Sequence, residues 1–152
     1  MTDLTACFSS KNNSWATPWD IFNKINKEYG PCDLDVCATK ENTKCERYFT
    51  EEQNGLIQPW EGICWLNPPY SEIITWVNKA AKEVYIFNNA ERIICLIPAR
   101  TDTKYFHQYV APYAHVIFIK GRIKFEGAKN SAPFPSILAI YGKGYKPNIS
   151  TY

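Results

Sequence analysis

The 152-residue sequence lacks the features of zinc-binding, secreted and membrane-spanning chains. Its six cysteines form no C-x-x-C pair, and the two histidines, His107 and His115, lie far from the cysteines between Cys32 and Cys45. This spacing fits no common zinc pattern. No apolar run approaches the roughly 18 residues of a membrane span, and residues 1–5 have no signal-peptide character. We therefore expect a cytoplasmic protein with reduced thiols and no metal.

The sequence also lacks an excess of either charge, since 17 basic residues oppose 15 acidic ones and the net charge is +2. This balance permits a local basic patch but does not establish nucleic-acid binding. Apolar residues make up 45% of the chain, which is enough for one domain with its own core. Aromatic residues make up 15%. Because buried Trp and Tyr need hydrogen-bond partners, we expect several rings at half-exposed surfaces, where some can stack on a ligand.

Helical and strand patterns alternate along the chain and predict a single α/β domain over residues 15–145, between a polar leader (1–14) and a tail (146–152). Thr17 can cap a helix that ends at Gly30-Pro31, and Ser71 can cap a second one. Residues 102–113 suggest a short helix. Apolar runs predict strands at 32–38, 63–66, 92–97, 115–119 (with 122–125 as an extension) and 135–141. Unbroken runs of this kind indicate strands buried on both faces, hence a mostly parallel sheet with helices on both faces.

The tetrapeptide Asn67-Pro68-Pro69-Tyr70 follows the predicted strand 63–66, where open α/β sheets bind their ligands. The Asn67 side-chain oxygen accepts an N–H bond, and Pro68 has no N–H to compete with a nearby backbone carbonyl. Two acceptors aimed at one aromatic amine would hold both its hydrogens and free its lone pair to attack a methyl sulfonium. Fixed acceptors also stabilise the positive charge that grows on the nitrogen. The tetrapeptide therefore favours methyl transfer to an amino group.

Tyr70 offers a flat face to a base that has left its stack. Flipping a base out of a duplex costs roughly a few kcal/mol, and stacking on an aromatic side chain returns about 1–3 kcal/mol. The two magnitudes are comparable, so an aromatic residue at this position suits a nucleobase substrate. The alternative is a Pro-Pro turn that ends a strand, with Asn67 capping the next helix.

Several motifs together resemble the phage-type DNA N-6-adenine methyltransferase (Dam) family, over roughly Trp15 to Tyr141. Their order and spacing are far more specific than any one of them. The segments that carry the resemblance are Thr17-Pro18-Trp19, Asp33-Leu34-Asp35-Val36-Cys37-Ala38, Tyr48-Phe49, Asn54-Gly55-Leu56 with Trp60, Asn67-Pro68-Pro69-Tyr70-Ser71, Trp76-Val77 with Lys79-Ala80, Leu96-Ile97-Pro98-Ala99 and Gly121-Arg122-Ile123 with Phe125.

The resemblance implies a trimmed Rossmann-like fold of the class I S-adenosylmethionine-dependent methyltransferases, with S-adenosylmethionine as cofactor. It is trimmed because residues 39–62 are short for two further strand–helix units. Thr17-Pro18 matches the segment that lies along the methionine end of the cofactor in similar enzymes. Trp15 and Trp19 flank that segment, and one of them could pack on the cofactor.

The resemblance also implies roles for residues near the first strand. Asp35 matches the acidic position that faces the cofactor ammonium, with Asp33 and Ala38 beside it. Asn54 stands where similar enzymes use an acidic side chain to contact the cofactor's adenine amine, and the Asn54 oxygen can accept the same bond. No glycine-rich loop follows Asp35, which is compatible with a cofactor that has no phosphates.

The function that the resemblance implies is methylation of adenine N6 in double-stranded DNA by a phage- or prophage-encoded enzyme in the cytoplasm of a bacterial host. Tyr70 and Ser71 would contact the flipped base, and Arg100, Arg122 and Lys124 the DNA phosphates. Two kinds of alternative stay open. One is an amino-methyltransferase acting on RNA adenine, cytosine N4 or protein glutamine; the other is a non-catalytic module that binds nucleic acid or cofactor. No separate target-recognition domain is evident in the sequence.

Overall fold

A computed structural model describes residues 16–151, and side chains over 16–150. The predicted leader (1–14) and Trp15 lie outside these described residues. Within them, the helices are α1 (Trp19–Tyr29) and α2 (Ile73–Tyr85). The strands are β1 (Leu34–Asp35), β2 (Arg47–Tyr48), β3 (Gly62–Leu66), β4 (Ala90–Pro98), β5 (His115–Phe118), β6 (Ser136–Gly142) and β7 (Asn148–Thr151).

The strands form one sheet in the order β2-β1-β3-β4-β6-β5-β7. β6 runs antiparallel to its neighbours β4 and β5, and the remaining pairs are parallel. Six strands therefore point the same way, which confirms the mostly parallel sheet. Their carboxyl ends, together with the start of β6, form one side of the sheet, called the carboxyl edge below.

Helices pack on both faces of the sheet. Successive strand residues point to opposite faces, so an unbroken apolar strand gives each face an apolar surface on which a helix can pack. In β4, Ile94 packs in the core that contains Phe22 and Ile25 of α1. Its neighbours Ile93 and Cys95 pack in the other core, under α2. The strands are thus buried on both sides, as their unbroken apolar runs predict. The α/β class with helices on both faces is confirmed.

The connections on either side of β2 are short. Within the described residues, segments 36–46 and 49–61 contain no α-helix, only turns and a 3₁₀ turn at Gly55–Ile57. The Trp60 side chain is fully buried, donates from Nε1 to the Gly55 carbonyl over 2.7 Å, and stacks on Trp76 of α2. One large side chain therefore fills space on a face that a longer connection would cover with a helix. The fold is trimmed in this part of the chain.

Some sequence expectations for individual elements are wrong. The tail predicted at 146–152 contributes β7, whose pairing with β5 extends the sheet. The short helix expected within 102–113 is confirmed: residues 104–105 are α-helical and continue into a π-helical turn, Phe106–Val110, in which Ala111 N–H donates to the Phe106 carbonyl over 2.8 Å. Residues 122–125 do not extend β5, which ends at Phe118. The strand predicted over 32–38 is reduced to β1.

Candidate active site

The carboxyl edge brings together polar side chains from distant parts of the sequence. Asp35 is the last residue of β1, and Asn67 directly follows β3. These two strands are neighbours, with Asp35 level with Trp65. Arg100 follows β4, the next strand of the sheet. A site at this edge can therefore be built from Asp35, the Asn67–Tyr70 tetrapeptide and the segment after β4.

Asn67 is held by a residue from the start of the described chain. Its Nδ2 donates a hydrogen bond to Thr17 Oγ1 over 3.2 Å, and the Thr17 side chain is buried. Thr17 was expected to cap α1, but the cap position belongs to Pro18, which has no capping side chain. The Thr17 hydroxyl binds the Asn67 amide instead. Thr17 and Asn67 thus belong to one site, although the sequence alone suggested separate roles.

Tyr70 lies in an aromatic cluster built from the connection between β5 and β6. Its ring packs edge-on against Phe134, at a centroid distance of 5.3 Å, and against Phe125, at 6.4 Å. The Arg100 guanidinium lies 5.7 Å from the centroid of the Phe134 ring. Burial raises the pKa of the Tyr70 hydroxyl above its usual range, so the phenol stays protonated. Sequence reasoning missed Phe134, because aromatic residues in a loop carry no periodic signal.

Asp35 is a buried carboxylate at the end of β1, with 3% of its surface exposed. Its two oxygens accept backbone N–H bonds, from Lys44 over 3.0 Å and from Cys37 over 3.4 Å. Burial raises the pKa of Asp35 to about 7, although both of these hydrogen bonds oppose the rise. A carboxylate with this environment binds a cation well, because a positive partner removes the cost of keeping the charge buried.

Lys44 is the second buried ionisable group of the site, and sequence reasoning missed it. Its side chain is 2% exposed, and its ammonium lies 4.0 Å from Glu126 Oε1 and 4.1 Å from the centroid of the Trp19 ring. Within the part of the chain that the structure describes, no acceptor forms a hydrogen bond with this ammonium. Burial lowers the pKa of Lys44. Nothing in the irregular, charged segment 39–46 distinguishes Lys44 from an ordinary solvated lysine.

Ala38 and Asn54 lie in the loops that follow β1 and β2. Ala38 is buried, and its N–H donates to the Phe49 carbonyl over 3.0 Å. Asn54 has a φ of 53°, and its Oδ1 accepts the Leu56 N–H over 3.1 Å. The oxygen predicted to contact the cofactor's adenine therefore also caps the 3₁₀ turn that follows. An amide oxygen has a second lone pair, so this bond leaves the predicted contact possible.

The structure does not bring Asp33 to the carboxyl edge. Asp33 precedes β1, and its exposed side chain accepts the Ile63 N–H over 2.8 Å near the start of β3. Its backbone N–H donates to the Ile63 carbonyl over 2.7 Å. Asp33 thus joins the beginnings of two strands. The cofactor contact expected of Asp33 stays a prediction, since its carboxylate is bonded at the start of β3 while Asp35 ends β1.

Ser71 also has a different position from the one expected. It lies in a 3₁₀ turn, Tyr70–Glu72, and α2 begins at Ile73 with Glu72 at its cap position. Ser71 is exposed next to Tyr70. It therefore does not occupy the cap position of the helix, and it lies on the exposed side of the tetrapeptide.

Comparison with known proteins identifies the family of the chain. A family model described as DNA N-6-adenine-methyltransferase (Dam) matches residues 5–145. The chain belongs to this family. Its reaction is methylation of the N6 amino group of adenine in DNA, and the prediction made from the sequence is confirmed at this level.

Two phage members of the Dam family illustrate the likeness. The chain is 34% identical over 119 residues to the DNA N-6-adenine-methyltransferase of Haemophilus phage HP1 (strain HP1c1), covering 76% of this chain and 68% of the relative. It is 33% identical over 108 residues to the DNA N-6-adenine-methyltransferase of Escherichia phage T1. That match covers 70% of this chain and 44% of the T1 protein, so the chain spans less than half of that relative.

In this Dam family chain, exposed basic side chains surround the carboxyl edge. Arg100 follows β4, and Arg122 and Lys124 lie in the connection between β5 and β6. The intervening Ile123 and the following Phe125 are buried, so Arg122 and Lys124 both point outward. The structure therefore presents these predicted phosphate contacts to solvent near Tyr70. Among the described residues, no helix is long and apolar enough to cross a membrane.

Proposed function

We propose that this chain transfers a methyl group from S-adenosylmethionine to N6 of an adenine flipped out of double-stranded DNA, and that the Asn67–Tyr70 tetrapeptide receives the base. The observation that carries the proposal is the hydrogen bond from Asn67 Nδ2 to Thr17 Oγ1. An amide nitrogen only donates, so this bond turns Asn67 Oδ1 away from Thr17 as the acceptor for an incoming amine.

The residues fit the proposed cofactor. S-adenosylmethionine carries an ammonium group on its amino-acid end, and Asp35 is a buried carboxylate at the carboxyl edge whose pKa is raised to about 7. Thr17 and Pro18 lie beside the same edge through the bond to Asn67. Asp35 would bind the ammonium, and Thr17-Pro18, Ala38 and Asn54 would line the rest of the site. When bound, the cofactor supplies an electrophilic methyl group on a sulfonium.

The tetrapeptide prepares the amine for this methyl group. Asn67 Oδ1 and a carbonyl beside Pro68 would accept the two N–H bonds of the adenine amine. These bonds pull the nitrogen towards tetrahedral geometry and free its lone pair, and the same two oxygens stabilise the positive charge that develops. Acceptors that are fixed before the substrate binds need no reorganisation during the reaction.

Tyr70 would hold the base. Its ring is supported edge-on by Phe134 and Phe125, which restrict its orientation. A supported ring loses little freedom when a base stacks on it. With Ser71 exposed beside it and Arg100 close to Phe134, the tetrapeptide opens towards a surface that suits nucleic acid.

Arg122 and Lys124 would contact phosphates. Each phosphate contact releases counterions, so its loss weakens binding to all DNA sequences and lowers the salt dependence. Replacing Arg122 by alanine is expected to reduce the slope of log K against log salt by about 1. Replacing Lys143, which is exposed at the far end of β6, should leave that slope unchanged.

The test of the proposal is transfer of labelled methyl from S-adenosylmethionine to unmethylated duplex DNA, followed by digestion to nucleosides. Label in N6-methyladenine supports the proposal. Label found only in cytosine, in RNA or in protein glutamine would show that adenine N6 of DNA is not the methyl acceptor. Folded protein that binds the cofactor and labels none of these would leave a non-catalytic binding module.

A further inference from the structure

Lys44 has a buried ammonium group to which the proposed function gives no role. A buried ammonium without a hydrogen bond is costly, because nothing replaces the water it has lost. The Lys44 side chain is 2% exposed, and within residues 16–150 its Nζ has no hydrogen-bond acceptor. Among the described residues, its ion-pair partner is Glu126, whose Oε1 is 4.0 Å away and thus beyond hydrogen-bond distance. Such a group is suited to an anionic ligand that supplies the missing acceptor.

The position of Lys44 indicates which ligand this is. Its backbone N–H is bonded to the Asp35 carboxylate over 3.0 Å, so its side chain begins at the group that would bind the cofactor ammonium. Its ammonium lies over the ring of Trp19, two residues after Thr17. Lys44 therefore connects the Asp35 carboxylate, which its backbone N–H contacts, to Trp19, which is next to the segment that would run along the methionine end of the cofactor.

The chemistry of the methionine end matches this pair. It carries an ammonium and a carboxylate on one carbon atom, within the reach of two neighbouring side chains of opposite charge. Asp35 would bind the ammonium, but a carboxylate cannot bind the other group. Arg100, the basic residue that follows β4, is exposed and lies by Phe134, in the proposed base site. Lys44 is the cation next to Asp35.

Resting on the proposed function, we infer that Lys44 is the cofactor-binding residue that recognises the methionine carboxylate of S-adenosylmethionine. Asp35 would thus bind the ammonium of the amino-acid end, and Lys44 would bind its carboxylate. Glu126 is the anion that is paired with the Lys44 ammonium before the carboxylate binds. With Asp35 ionised, Asp35, Glu126 and Lys44 sum to one negative charge, and the cofactor, with sulfonium, ammonium and carboxylate, carries one positive charge.

An alternative role for Lys44 is to neutralise Asp35. Within the described residues, however, the ion pair of Lys44 is with Glu126, and the Asp35 oxygens are bonded to backbone N–H groups. A purely neutralising lysine would pair directly with Asp35. The two roles predict different responses to a ligand that lacks the carboxylate.

The experiment compares dissociation constants of S-adenosylmethionine and decarboxylated S-adenosylmethionine by calorimetry. In the unchanged protein, loss of the carboxylate should weaken binding about 10- to 100-fold, the size of one hydrogen bond to a charged group. Lys44→Met should weaken S-adenosylmethionine by a similar factor and leave the decarboxylated ligand unchanged. The matched control Lys79→Met removes another largely buried lysine, which pairs with Glu83 on α2, and should keep the original ratio.

Each outcome decides the inference. If Lys44→Met weakens both ligands equally, Lys44 only supports the site, and the inference fails while the proposed function stands. If the unchanged protein binds both ligands equally, the inference fails without any variant, so a misfolded Lys44→Met does not prevent the test. If the unchanged protein binds neither ligand, the proposed cofactor itself is wrong.

Discussion

Nδ2 of Asn67 donates a hydrogen bond to Oγ1 of Thr17 over 3.2 Å, joining two residues that are 50 positions apart in the chain. The bond connects the tetrapeptide after β3 to the segment that precedes α1. With Nδ2 bonded to Thr17, Oδ1 is the amide atom that we propose accepts from the adenine amine. Under this proposal, the positioning of the acceptor oxygen depends on Thr17, which precedes α1.

Thr17→Val should slow methyl transfer without removing the amide. Valine keeps the shape of threonine but cannot accept the bond from Asn67 Nδ2, so the amide loses its fixed orientation. We expect kcat to fall about 10-fold, the cost of roughly one hydrogen bond. Thr17→Ser keeps the hydroxyl and should restore most of the rate. A Thr17→Val enzyme with an unchanged kcat would show that the bond does not position Asn67.

Tyr70→Ala should lower kcat/KM for duplex DNA by about 10- to 100-fold, because stacking contributes roughly 1–3 kcal/mol per base. Tyr70→Phe keeps the flat ring and should stay close to the unchanged enzyme. The defect of Tyr70→Ala should shrink on DNA in which the target adenine is mismatched, since flipping then costs less. Equal defects on matched and mismatched DNA would mean that Tyr70 does not hold a flipped base.

Cofactor binding should strengthen as pH rises from 6 to 7.5. The pKa of Asp35 is raised to about 7 by burial, so its carboxyl is mostly protonated at pH 6 and mostly ionised at pH 7.5. Only the ionised form attracts an ammonium. We expect the dissociation constant of S-adenosylmethionine to fall about 5- to 10-fold. Asp35→Asn should bind weakly and show no such trend.

The same group gives the ligand-free protein a pH-dependent stability. The folded state raises the pKa of Asp35 above its unfolded value of about 4, so it holds a proton that the unfolded chain releases. The stabilisation is present below pH 4 and is lost as pH rises through 7. In Asp35→Asn, unfolding free energies measured from pH 5 to 8 should decline less. An identical decline in both proteins would contradict the raised pKa.

Gly55→Ala should destabilise the fold. A Cβ at Gly55 would lie 2.1 Å from the Val36 carbonyl oxygen, which is backbone and cannot rotate away. Overpacking of this kind costs about 1–3 kcal/mol, so the midpoint of thermal unfolding should fall by roughly 3–12 °C. Gly144→Ala, where a Cβ meets nothing within 4 Å, should leave the midpoint unchanged. An unchanged midpoint in Gly55→Ala would mean that Asn54-Gly55 does not pack closely on β1.

Sequence reasoning identified the long elements well, because apolar periodicity reports burial directly. β4 and β6 are continuous apolar runs, and α1 ends at Tyr29, directly before the predicted stop at Gly30-Pro31. It failed for short edge strands. β2 pairs through two residues and β7 is polar, so neither shows a pattern of its own. Both form because a neighbouring strand offers unpaired backbone groups.

Some residues of the site could likewise be predicted from the sequence, and others could not. The tetrapeptide and Asp35 could be found because they follow predicted strands and match a family. The position of Asp33 before β1 could not be predicted, because the sequence does not show where so short a strand begins. Lys44 and Phe134 lie in irregular segments, and only the folded chain places them beside Asp35 and Tyr70. Tertiary contacts between loops leave no periodic trace in the sequence.

The most direct test of the account is the single-turnover rate of labelled methyl transfer to duplex DNA by Asn67→Ala, at saturating S-adenosylmethionine. Removing one preorganised acceptor typically costs on the order of 100-fold in rate or more. We expect at least that loss, with N6-methyladenine as the residual product and with cofactor affinity within a few-fold of the unchanged enzyme. A folded Asn67→Ala protein that methylates adenine within a few-fold of the original rate would contradict the central claim that Asn67 is the acceptor for the adenine amine.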